Sequence, residues 1–289
     1  SVTIAHDVAG LPDYACEDAV GRRAVADFLN RRFCGILGKH TSRSGSGKSG
    51  LIQMLEPGQQ VLSRTSLKVS ETGEILARFR IGLPANGRRI AGRAAASLLT
   101  QSLAECVRGA LVAGAWNESL MRKHCETVQD SVALRQALAE NDLIAFIADG
   151  ALLPRRSGAD DRPIQGKAVA FSSPESMRVT LNTPFAGSVS GMGISKGVTL
   201  IVGGGYHGKS TLLRAIERGY LDHIPGDGRE FVVALEDAVK IRAEDGRSVI
   251  QTDISGFISN LPSGDDTTSF STTNASGSTS QATAISEAI

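Results

Sequence analysis

Residues 198–217 read VTLIVGGGYHGKSTLLRAIE, and this stretch decides the fold class of the chain. Its first five residues are apolar or β-branched, a pattern that predicts a strand buried on both faces of a sheet. Residues 210–217 carry the pattern of a helix. The turn between them, from Gly203 to Ser210, satisfies G-x-x-x-x-G-K-[ST]. A strand, a glycine-rich turn and a helix in this order predict a phosphate-binding loop; a chance match in a glycine-rich protein is the alternative.

The residue types of this turn suit the binding of a nucleoside triphosphate. Glycines allow successive backbone N–H groups to turn inward around phosphate oxygens, and the following helix directs the positive end of its dipole there. Lys209 is expected to reach the β- and γ-phosphates, and the hydroxyl of Ser210 to ligate Mg²⁺. The sequence therefore predicts ATP and Mg²⁺ as ligands. The predicted phosphate-binding residues are Gly203, Gly204, Gly205, Tyr206, His207, Gly208, Lys209, Ser210 and Thr211.

A second G-K-S triplet, at residues 47–49, does not complete the same pattern. Ser42 stands where the first glycine would be required, and no apolar strand precedes it. Residues 38–50 are instead predicted to form a flexible basic loop. Lys48 in this loop is a candidate contact to a nucleic-acid backbone, and a plain solvated loop is the alternative.

Charge is distributed unevenly along the chain. Residues 1–100 contain 14 Lys and Arg against 8 Asp and Glu, a net charge of +6, whereas residues 101–289 contain 17 against 22, a net charge of −5. A basic N-terminal third favours a polyanionic partner such as nucleic acid, and a basic surface without such a partner is the alternative. Only 4% of residues are aromatic, which argues against a surface that stacks several bases. Further candidate nucleic-acid contacts are Arg88, Arg89, Arg155 and Arg156.

Cysteine usage and hydropathy indicate the cellular setting. The four cysteines show no C-x-x-C spacing, which argues against a zinc site and predicts reduced thiols in an intracellular protein. The sequence has no apolar run long enough to predict a membrane span and no recognisable signal peptide. We therefore expect a soluble intracellular protein.

Periodicity and turn residues predict two domains, 1–150 and 151–289. The first is expected to be an α+β domain, with helices at 19–33, 92–112 and 117–140 and strands at 51–55, 61–69, 75–83 and 143–148. A loop at residues 154–166 is predicted to join the two domains. The second is expected to be an α/β domain, with strands at 168–171, 177–181, 198–202 and 231–235 around the helix at 210–217.

A stretch rich in serine and threonine lies near the end of the sequence. Twelve of the twenty-two residues at 262–283 are Ser or Thr, which would suit a low-complexity linker. Apolar residues before the stretch and good helix formers after it favour an ordered structure instead. Residues 275–279 are then predicted to be a small-residue turn that caps a helix, and so a second helix N-terminus able to bind an anion.

Several long and unusual stretches resemble the predicted ATPases of the ABC class, a family that includes an ATPase associated with RNA editing in trypanosomatid mitochondria. Besides the phosphate-binding loop they include GLIQMLEPGQQVLSRTSL, FRIGLPANGRRIAGRAA, FIADGALLPRRSG, HIPGDGRE and NLPSGDDTTSFSTTNASGSTSQA, and they span most of residues 50–289. The resemblance implies an ABC-type P-loop NTPase domain after a family-specific α+β N-terminal domain. It implies ATP and Mg²⁺ binding and, less directly, RNA binding. It also implies a mitochondrial location for a trypanosomatid protein and a cytoplasmic one otherwise.

Within this resemblance, the turn at 275–279 is similar to the signature motif of ABC-class ATPases. The serine and glycine of that motif close over the γ-phosphate held by the phosphate-binding loop of a second subunit, which implies a homodimer formed through the ATP sites. Ser276 and Gly277 match the motif, while Ser278 and Thr279 replace the usual glycine and glutamine. The Walker B strand, with its Mg²⁺-binding Asp and catalytic Glu, is expected beyond the end of this sequence, so the catalytic residues are unknown.

Other residues are candidates with an ordinary structural alternative. Gln251 and Asp253 are candidates to contact Mg²⁺ or the γ-phosphate, and a polar residue at a strand end is the alternative for each. Phe171 is a candidate to stack on adenine, and core packing is the alternative. His207 is expected to point toward the nucleotide or a partner subunit.

The HIPGDGRE stretch, residues 223–230, indicates no chemistry of its own. His223 is expected to cap a helix and to orient the loop that carries Asp227. The glycines on both sides of Asp227 predict a solvent-facing turn. Arg155 and Arg156 are candidates for phosphate contact, and an ordinary exposed pair is the alternative.

The favoured hypothesis is an ATPase in which ATP closes a dimer and hydrolysis reopens it, coupled to the binding of nucleic acid, chiefly RNA. The first alternative is a module that binds ATP and dimerises without hydrolysing it. The second alternative is a P-loop kinase acting on a small molecule. A transporter is disfavoured because no membrane segment is predicted.

Overall fold

The computed structural model describes residues 1–40, 47–87 and 89–289. The described chain forms two compact units, Ser1–Glu236 and Asp237–Ile289. The predicted boundary after residue 150 falls within the first unit, and the division into functional domains stays a prediction. No helix in the described part of the chain is long and apolar enough to cross a membrane.

Seven α-helices are described. They are α1 (His6–Ala9), α2 (Ala19–His40), α3 (Gly92–Ser97), α4 (Leu103–Leu111), α5 (Glu118–Glu140), α6 (Lys209–Arg218) and α7 (Gly277–Ala288). A π-helical turn, Leu98–Ser102, joins α3 to α4, so the predicted helix at 92–112 is present with an irregular middle. The prediction at 117–140 corresponds to α5, whose N-cap residue Asn117 accepts a hydrogen bond from the Leu120 amide.

Fifteen short strands accompany the helices. The strands are β1 (Val2–Ile4), β2 (Ile52–Gln53), β3 (Gln60–Val61), β4 (Leu67–Val69), β5 (Ile75–Ala77), β6 (Arg80–Ile81), β7 (Ala85–Asn86), β8 (Arg89–Ile90), β9 (Leu143–Ala148), β10 (Arg178–Thr183), β11 (Gly187–Ser195), β12 (Asp222–His223), β13 (Val232–Ala234), β14 (Val249–Thr252) and β15 (Phe270–Thr272). The predicted strands at 51–55, 61–69 and 75–83 are therefore present only in shorter pieces.

The largest sheet of the first unit has the order β10-β11-β9-β13, and all its pairs are antiparallel. Its central strand β9 is almost wholly buried, as its near-continuous apolar sequence LIAFIA predicts. A smaller sheet, β1-β5-β4, packs on α2 through buried Leu67 and Ile75. Strand β12 pairs with β3, which joins residues 222–223 to the N-terminal part of the chain.

Helix α5 belongs to both cores of the first unit. Its N-terminal half contributes Met121 and Val128 to the core around α2, and its C-terminal half contributes Leu134 and Leu138 to the core beneath Phe146 of β9. A helix of this length spans roughly 34 Å, which is enough to cross both. The N-terminal region around α2 and the four-stranded sheet β10-β11-β9-β13, which we call the main sheet, therefore belong to one compact unit.

Residues 198–202, predicted to form a buried strand, belong to no described strand. Val198, Leu200 and Val202 are 103%, 82% and 74% exposed. The four-stranded sheet β10-β11-β9-β13 does not include this run. The prediction of a buried strand was therefore wrong. The predicted strand at 168–171 is also absent, and these residues line a cleft.

The second unit is a hairpin covered by one helix. Strands β14 and β15 pair antiparallel, and α7 packs on β14. Its core consists of Val249, Ile254, Phe270, Ala275 and Ala282. The stretch at 262–283 is thus partly ordered structure and not a linker throughout.

Candidate functional site

The glycine-rich loop of the first unit adopts a conformation that few residues other than glycine accept. Gly203 has a φ of +148° and Gly208 a φ of +85°, both in the region that L side chains avoid. Tyr206 is one of three described residues other than glycine with a positive φ, at +61°, and its side chain is fully exposed. The loop therefore turns sharply just before α6 begins.

Lys209 is the first residue of α6 and its ammonium group lies inside the loop. The Nζ atom donates hydrogen bonds to the carbonyl oxygens of Gly203 and Gly204, each at 2.5 Å. The N-cap residue Gly208 supplies no side-chain oxygen to the first amides of the helix. The N–H groups of the first turn and the Lys209 ammonium thus combine positive charge at one point. The hydroxyl of Ser210 is exposed beside them.

His207 folds back over the loop. Its Nδ1 atom accepts a hydrogen bond from the backbone N–H of Gly204 at 3.2 Å. A Cβ atom at Gly204 would lie 3.1 Å from the imidazole ring, so the ring packs closely against this glycine. His207 therefore contacts one of the amides expected to face phosphate.

A cleft of about 770 Å³ opens beside this loop. One wall is the loop with the start of α6, including Lys209 and Thr211, and the other is formed by Leu153, Pro154 and residues 164–172. The described lining includes two lysines, Lys167 and Lys209, and no carboxylate. Such a lining is suited to a negatively charged ligand.

Phe171 lies half-buried in the wall of this cleft. Its carbonyl oxygen accepts a hydrogen bond from the Gly150 amide and its own amide donates to Ala151, both at 2.8 Å. The Asp149 carboxylate accepts hydrogen bonds from the amide of Ser173, two residues after Phe171, at 2.6 Å and from the Ser173 hydroxyl at 2.9 Å. These hydrogen bonds lower the pKa of the Asp149 carboxyl. The stacking of Phe171 on adenine stays a prediction.

The turn at 275–279 caps a helix in the second unit. Ser276 is the N-cap residue of α7 and its Oγ atom accepts a hydrogen bond from the Thr279 amide at 3.5 Å. Gly277 is the first helical residue, Ser278 is exposed and Thr279 is buried. The predicted helix cap is confirmed, whereas the contact of these residues with nucleotide stays a prediction.

Gln251 and Asp253 also lie in the second unit. Gln251 has a φ of +47° in β14, and its amide donates to Ser271 Oγ at 2.8 Å. Asp253 is exposed and accepts hydrogen bonds from the hydroxyl and amide of Ser255, which lower the pKa of its carboxyl. No group of three or more His, Cys, Asp or Glu in the described chain could hold a metal ion. The role of Gln251 and Asp253 near Mg²⁺ stays a prediction.

The basic candidates do not share one environment. Lys48, Arg89 and Arg156 are exposed, and Arg88 lies outside the described residues. Arg155 is only 8% exposed at its side chain and binds Asp227 in a bidentate ion pair, with Nη1 to Oδ1 at 2.9 Å and Nη2 to Oδ2 at 2.7 Å. A buried guanidinium held in this way is not available to a nucleic-acid phosphate, so the structure contradicts that role for Arg155.

Asp227 was expected in a solvent-facing turn, and this expectation was wrong. Its side chain is wholly buried because Arg155 and His223 enclose it, and His223 Nδ1 lies 2.8 Å from its Oδ2 atom. His223 thus orients Asp227, as predicted, but it lies in β12 and caps no helix. Arg229 is also buried, and burial together with the nearby charge of Arg155 lowers the pKa of its guanidinium to about 10. The i, i+4 spacing of His223 and Asp227 is the signal that could have indicated this cluster.

Comparison with known proteins finds two matching protein families and a similar sequence. Residues 1–114 match the family described as the N-terminal domain of ATPases of the ABC class, and residues 117–289, more than half of the chain, match its P-loop domain. An uncharacterized protein of Methanocaldococcus jannaschii, MJ1628, is 34% identical over 139 residues, which cover 45% of this chain and 31% of that protein. The chain thus matches less than a third of the length of this curated relative. The family matches confirm the predicted resemblance and the predicted α/β P-loop fold class.

Proposed function

Because the chain belongs to the ATPases of the ABC class, we propose that it binds ATP with Mg²⁺ in the cleft beside residues 203–211 and hydrolyses it. The triphosphate would lie along the glycine-rich loop, with the base toward residues 164–172. The observation that carries this proposal is the position of Lys209. Its ammonium group is held inside the loop at the free N-terminus of α6, where phosphate oxygens are best bound.

The remaining loop residues have complementary roles in this proposal. The backbone amides of Gly204, Gly205 and Gly208 would contact phosphate oxygens, and Tyr206 and His207 would border them. Ser210 would hold Mg²⁺, whose charge offsets that of the β- and γ-phosphates. The fit of the site to Mg²⁺ rests on the exposed Ser210 hydroxyl at the start of α6. The catalytic carboxylate is assigned to no residue of this chain.

We also propose that ATP closes a homodimer. The turn at Ser276 and Gly277 of one copy would contact the γ-phosphate bound to the loop of the other copy. The support is a capped helix N-terminus with small side chains, which offers its first amides to an anion. Ser278 and Thr279 would flank this contact.

Nucleic acid, chiefly RNA, is proposed as the partner of the basic N-terminal region. The support is the net charge of +6 in residues 1–100, which contain 14 basic and 8 acidic residues, together with the exposed side chains of Lys48 and Arg89. Arg156, exposed in the first unit, would add to this surface. Contacts of this kind position a nucleic acid through its phosphates and carry no sequence preference.

One experiment separates the enzyme from its alternatives. The full-length protein is incubated with ATP and Mg²⁺, and nucleotide binding and phosphate release are both measured. Binding with steady phosphate release, dependent on Lys209, supports the ATPase. Binding without release would favour the non-hydrolysing dimerisation module. Phosphate transfer to an added small molecule, by a protein that stays monomeric, would favour the kinase.

A further inference from the structure

The wall of the cleft opposite the glycine-rich loop is held by three consecutive residues of another segment, Asp227, Gly228 and Arg229. The Leu152 amide donates to the carbonyl oxygen of Gly228 at 2.8 Å. The carbonyl oxygen of Leu153 accepts hydrogen bonds from Nε and Nη2 of Arg229, at 3.0 and 2.5 Å. Leu153 itself lines the cleft. Gly228 and Arg229 thus bind the backbone of the cleft wall. They belong to residues 222–229, DHIPGDGR, which we call the 222–229 segment.

The strongest of these anchors is the ion pair of Arg155 and Asp227. The Arg155 guanidinium donates to both carboxylate oxygens of Asp227 and, at 2.8 Å, to its backbone carbonyl oxygen. The Asp227 side chain is fully buried. Removing one partner of a buried pair leaves an uncompensated charge, so the two residues hold each other in place. Arg155 directly follows Pro154, another lining residue of the cleft.

Close packing explains the glycine beside this pair. Gly228 has a φ of +83°, and a Cβ atom there would lie 2.7 Å from the Cβ of Leu152 and 2.9 Å from its carbonyl oxygen. Only a glycine permits this approach of the two backbones. The segment and the wall therefore fit against each other along their backbones as well as through side chains.

The other end of the 222–229 segment belongs to the N-terminal region. Asp222 and His223 pair with Val61 and Gln60, and the Ile224 amide donates to the carbonyl oxygen of Gln59 at 3.1 Å. The buried carboxylate of Asp222 also binds two arginines. These are Arg23 of α2, at 2.5 Å, and Arg135 of α5, at 2.8 Å.

We infer that Asp227 is a positioning residue of the nucleotide cleft, and that the 222–229 segment couples the cleft to the N-terminal region. Asp227 touches neither the loop nor the cleft, and it acts through Arg155 on the wall at Leu153 and Pro154. Through His223 the same carboxylate reaches the strand pair β3–β12. Occupancy of the cleft would then stabilise this strand pair. The inference rests on the proposed binding of ATP.

The test is ATP affinity in Asp227→Asn, measured with Mg²⁺ at a temperature at which circular dichroism shows a folded protein. Asparagine keeps the size of the side chain but removes the buried charge that binds Arg155, whose nearest other carboxylate is the partly exposed Asp161 at 4.0 Å, so we expect ATP to bind about 10-fold more weakly. The matched control is Asp130→Asn. Asp130 is 3% exposed and accepts hydrogen bonds from the amides of Phe185 and Ala186, both at 2.9 Å and away from the cleft lining. This control should lose stability without losing ATP affinity.

A second readout distinguishes positioning from a general loss of stability. In the wild type, ATP should increase the protection of the Ile224 amide against hydrogen exchange, because this amide belongs to the β3–β12 connection. Asp227→Asn should abolish that increase, and Asp130→Asn should keep it. If Asp227→Asn does not fold, Arg155→Lys replaces it, since lysine keeps the charge but cannot bind both carboxylate oxygens as a planar fork.

The outcomes separate this inference from the proposed function. Failure of the wild type to bind ATP would overturn the proposed function, and the inference with it. Tight binding by the wild type with unchanged affinity in folded Asp227→Asn, or in folded Arg155→Lys, would overturn the inference alone. An equal loss of affinity in Asp130→Asn would assign the effect to stability and would also overturn it.

Discussion

The Nζ atom of Lys209 lies 2.5 Å from the carbonyl oxygen of Gly203, six residues before it in the chain. The lysine side chain thus closes the loop on itself and takes the place from which it would contact phosphate. A bound triphosphate would exchange these carbonyl contacts for charged phosphate oxygens, which form stronger hydrogen bonds with an ammonium group. This relationship leads to the first prediction.

Lys209→Ala should weaken ATP binding by about 10- to 100-fold, because a hydrogen bond to a charged group contributes roughly 1.5–3 kcal/mol. Isothermal titration calorimetry with ATP and Mg²⁺ measures the change. Arg214→Ala is the control, since Arg214 lies exposed on the same helix and outside the cleft lining. Equal affinity in Lys209→Ala and the wild type would contradict the assigned site.

Ser276→Arg should prevent ATP-dependent dimerisation while leaving ATP binding to the single subunit intact. The reason is steric, because a long side chain would fill the position expected for the γ-phosphate of the second copy. Sedimentation velocity with and without ATP measures the dimer. Ser276→Ala is the matched control: both variants lose the N-cap hydrogen bond, at about 0.5–2 kcal/mol, but only arginine adds bulk. A normal dimer in Ser276→Arg would refute the proposed interface.

RNA affinity should fall steeply as the salt concentration rises, because contacts to phosphates release counterions. Arg89→Ala and Arg156→Ala should each weaken binding and reduce the salt slope by about one unit. The whole chain is required for the measurement, since α5 joins the N-terminal core to that of the main sheet. Affinity that is indifferent to ionic strength would count against the nucleic-acid proposal.

Acid should destabilise the first unit through Asp27. Burial by itself raises the pKa of this carboxyl, but His124, whose Nε2 lies 3.4 Å from Oδ2, and the guanidinium of Arg31, which donates to Oδ2 at 2.6 Å, outweigh burial and hold the pKa below its usual value. Arg64 binds the same carboxylate. The stabilisation is therefore complete above the pKa of the unfolded chain and is lost as the pH falls through the lower folded pKa.

Urea unfolding between about pH 7 and pH 3 measures this effect. Asp27→Asn should lower the free energy of unfolding at neutral pH by about 3–5 kcal/mol, because it leaves buried positive charge unpaired. The same variant should also flatten the acid dependence. Glu74→Gln, at an exposed position of the same unit, should leave both unchanged. A wild-type acid slope preserved in Asp27→Asn would refute the assignment.

Much of the site could be predicted from short-range patterns. The loop from Gly203 to Ser210, the helix after it and the Ser276 cap depend on glycine conformations, helix dipoles and hydrogen bonds within a few residues. The long helix α5 and the buried strand β9 were predicted for the same reason, since periodicity and apolar runs report local preference. The role of the cleft wall could not be predicted, because residues 164–172 show no pattern that indicates what lies beside them.

The sequence alone determined the glycine-rich turn before α6 and the helix cap at Ser276, because each of these depends on residues that are neighbours in the chain. Only the tertiary structure decided that residues 198–202 stay outside the sheet, and that Arg155 is buried in an ion pair with Asp227. Strand pairing depends on which distant segments of the chain meet in space. A buried ion pair depends on charges 72 residues apart meeting in space. Neither strand pairing nor a buried ion pair can be predicted from a local sequence pattern.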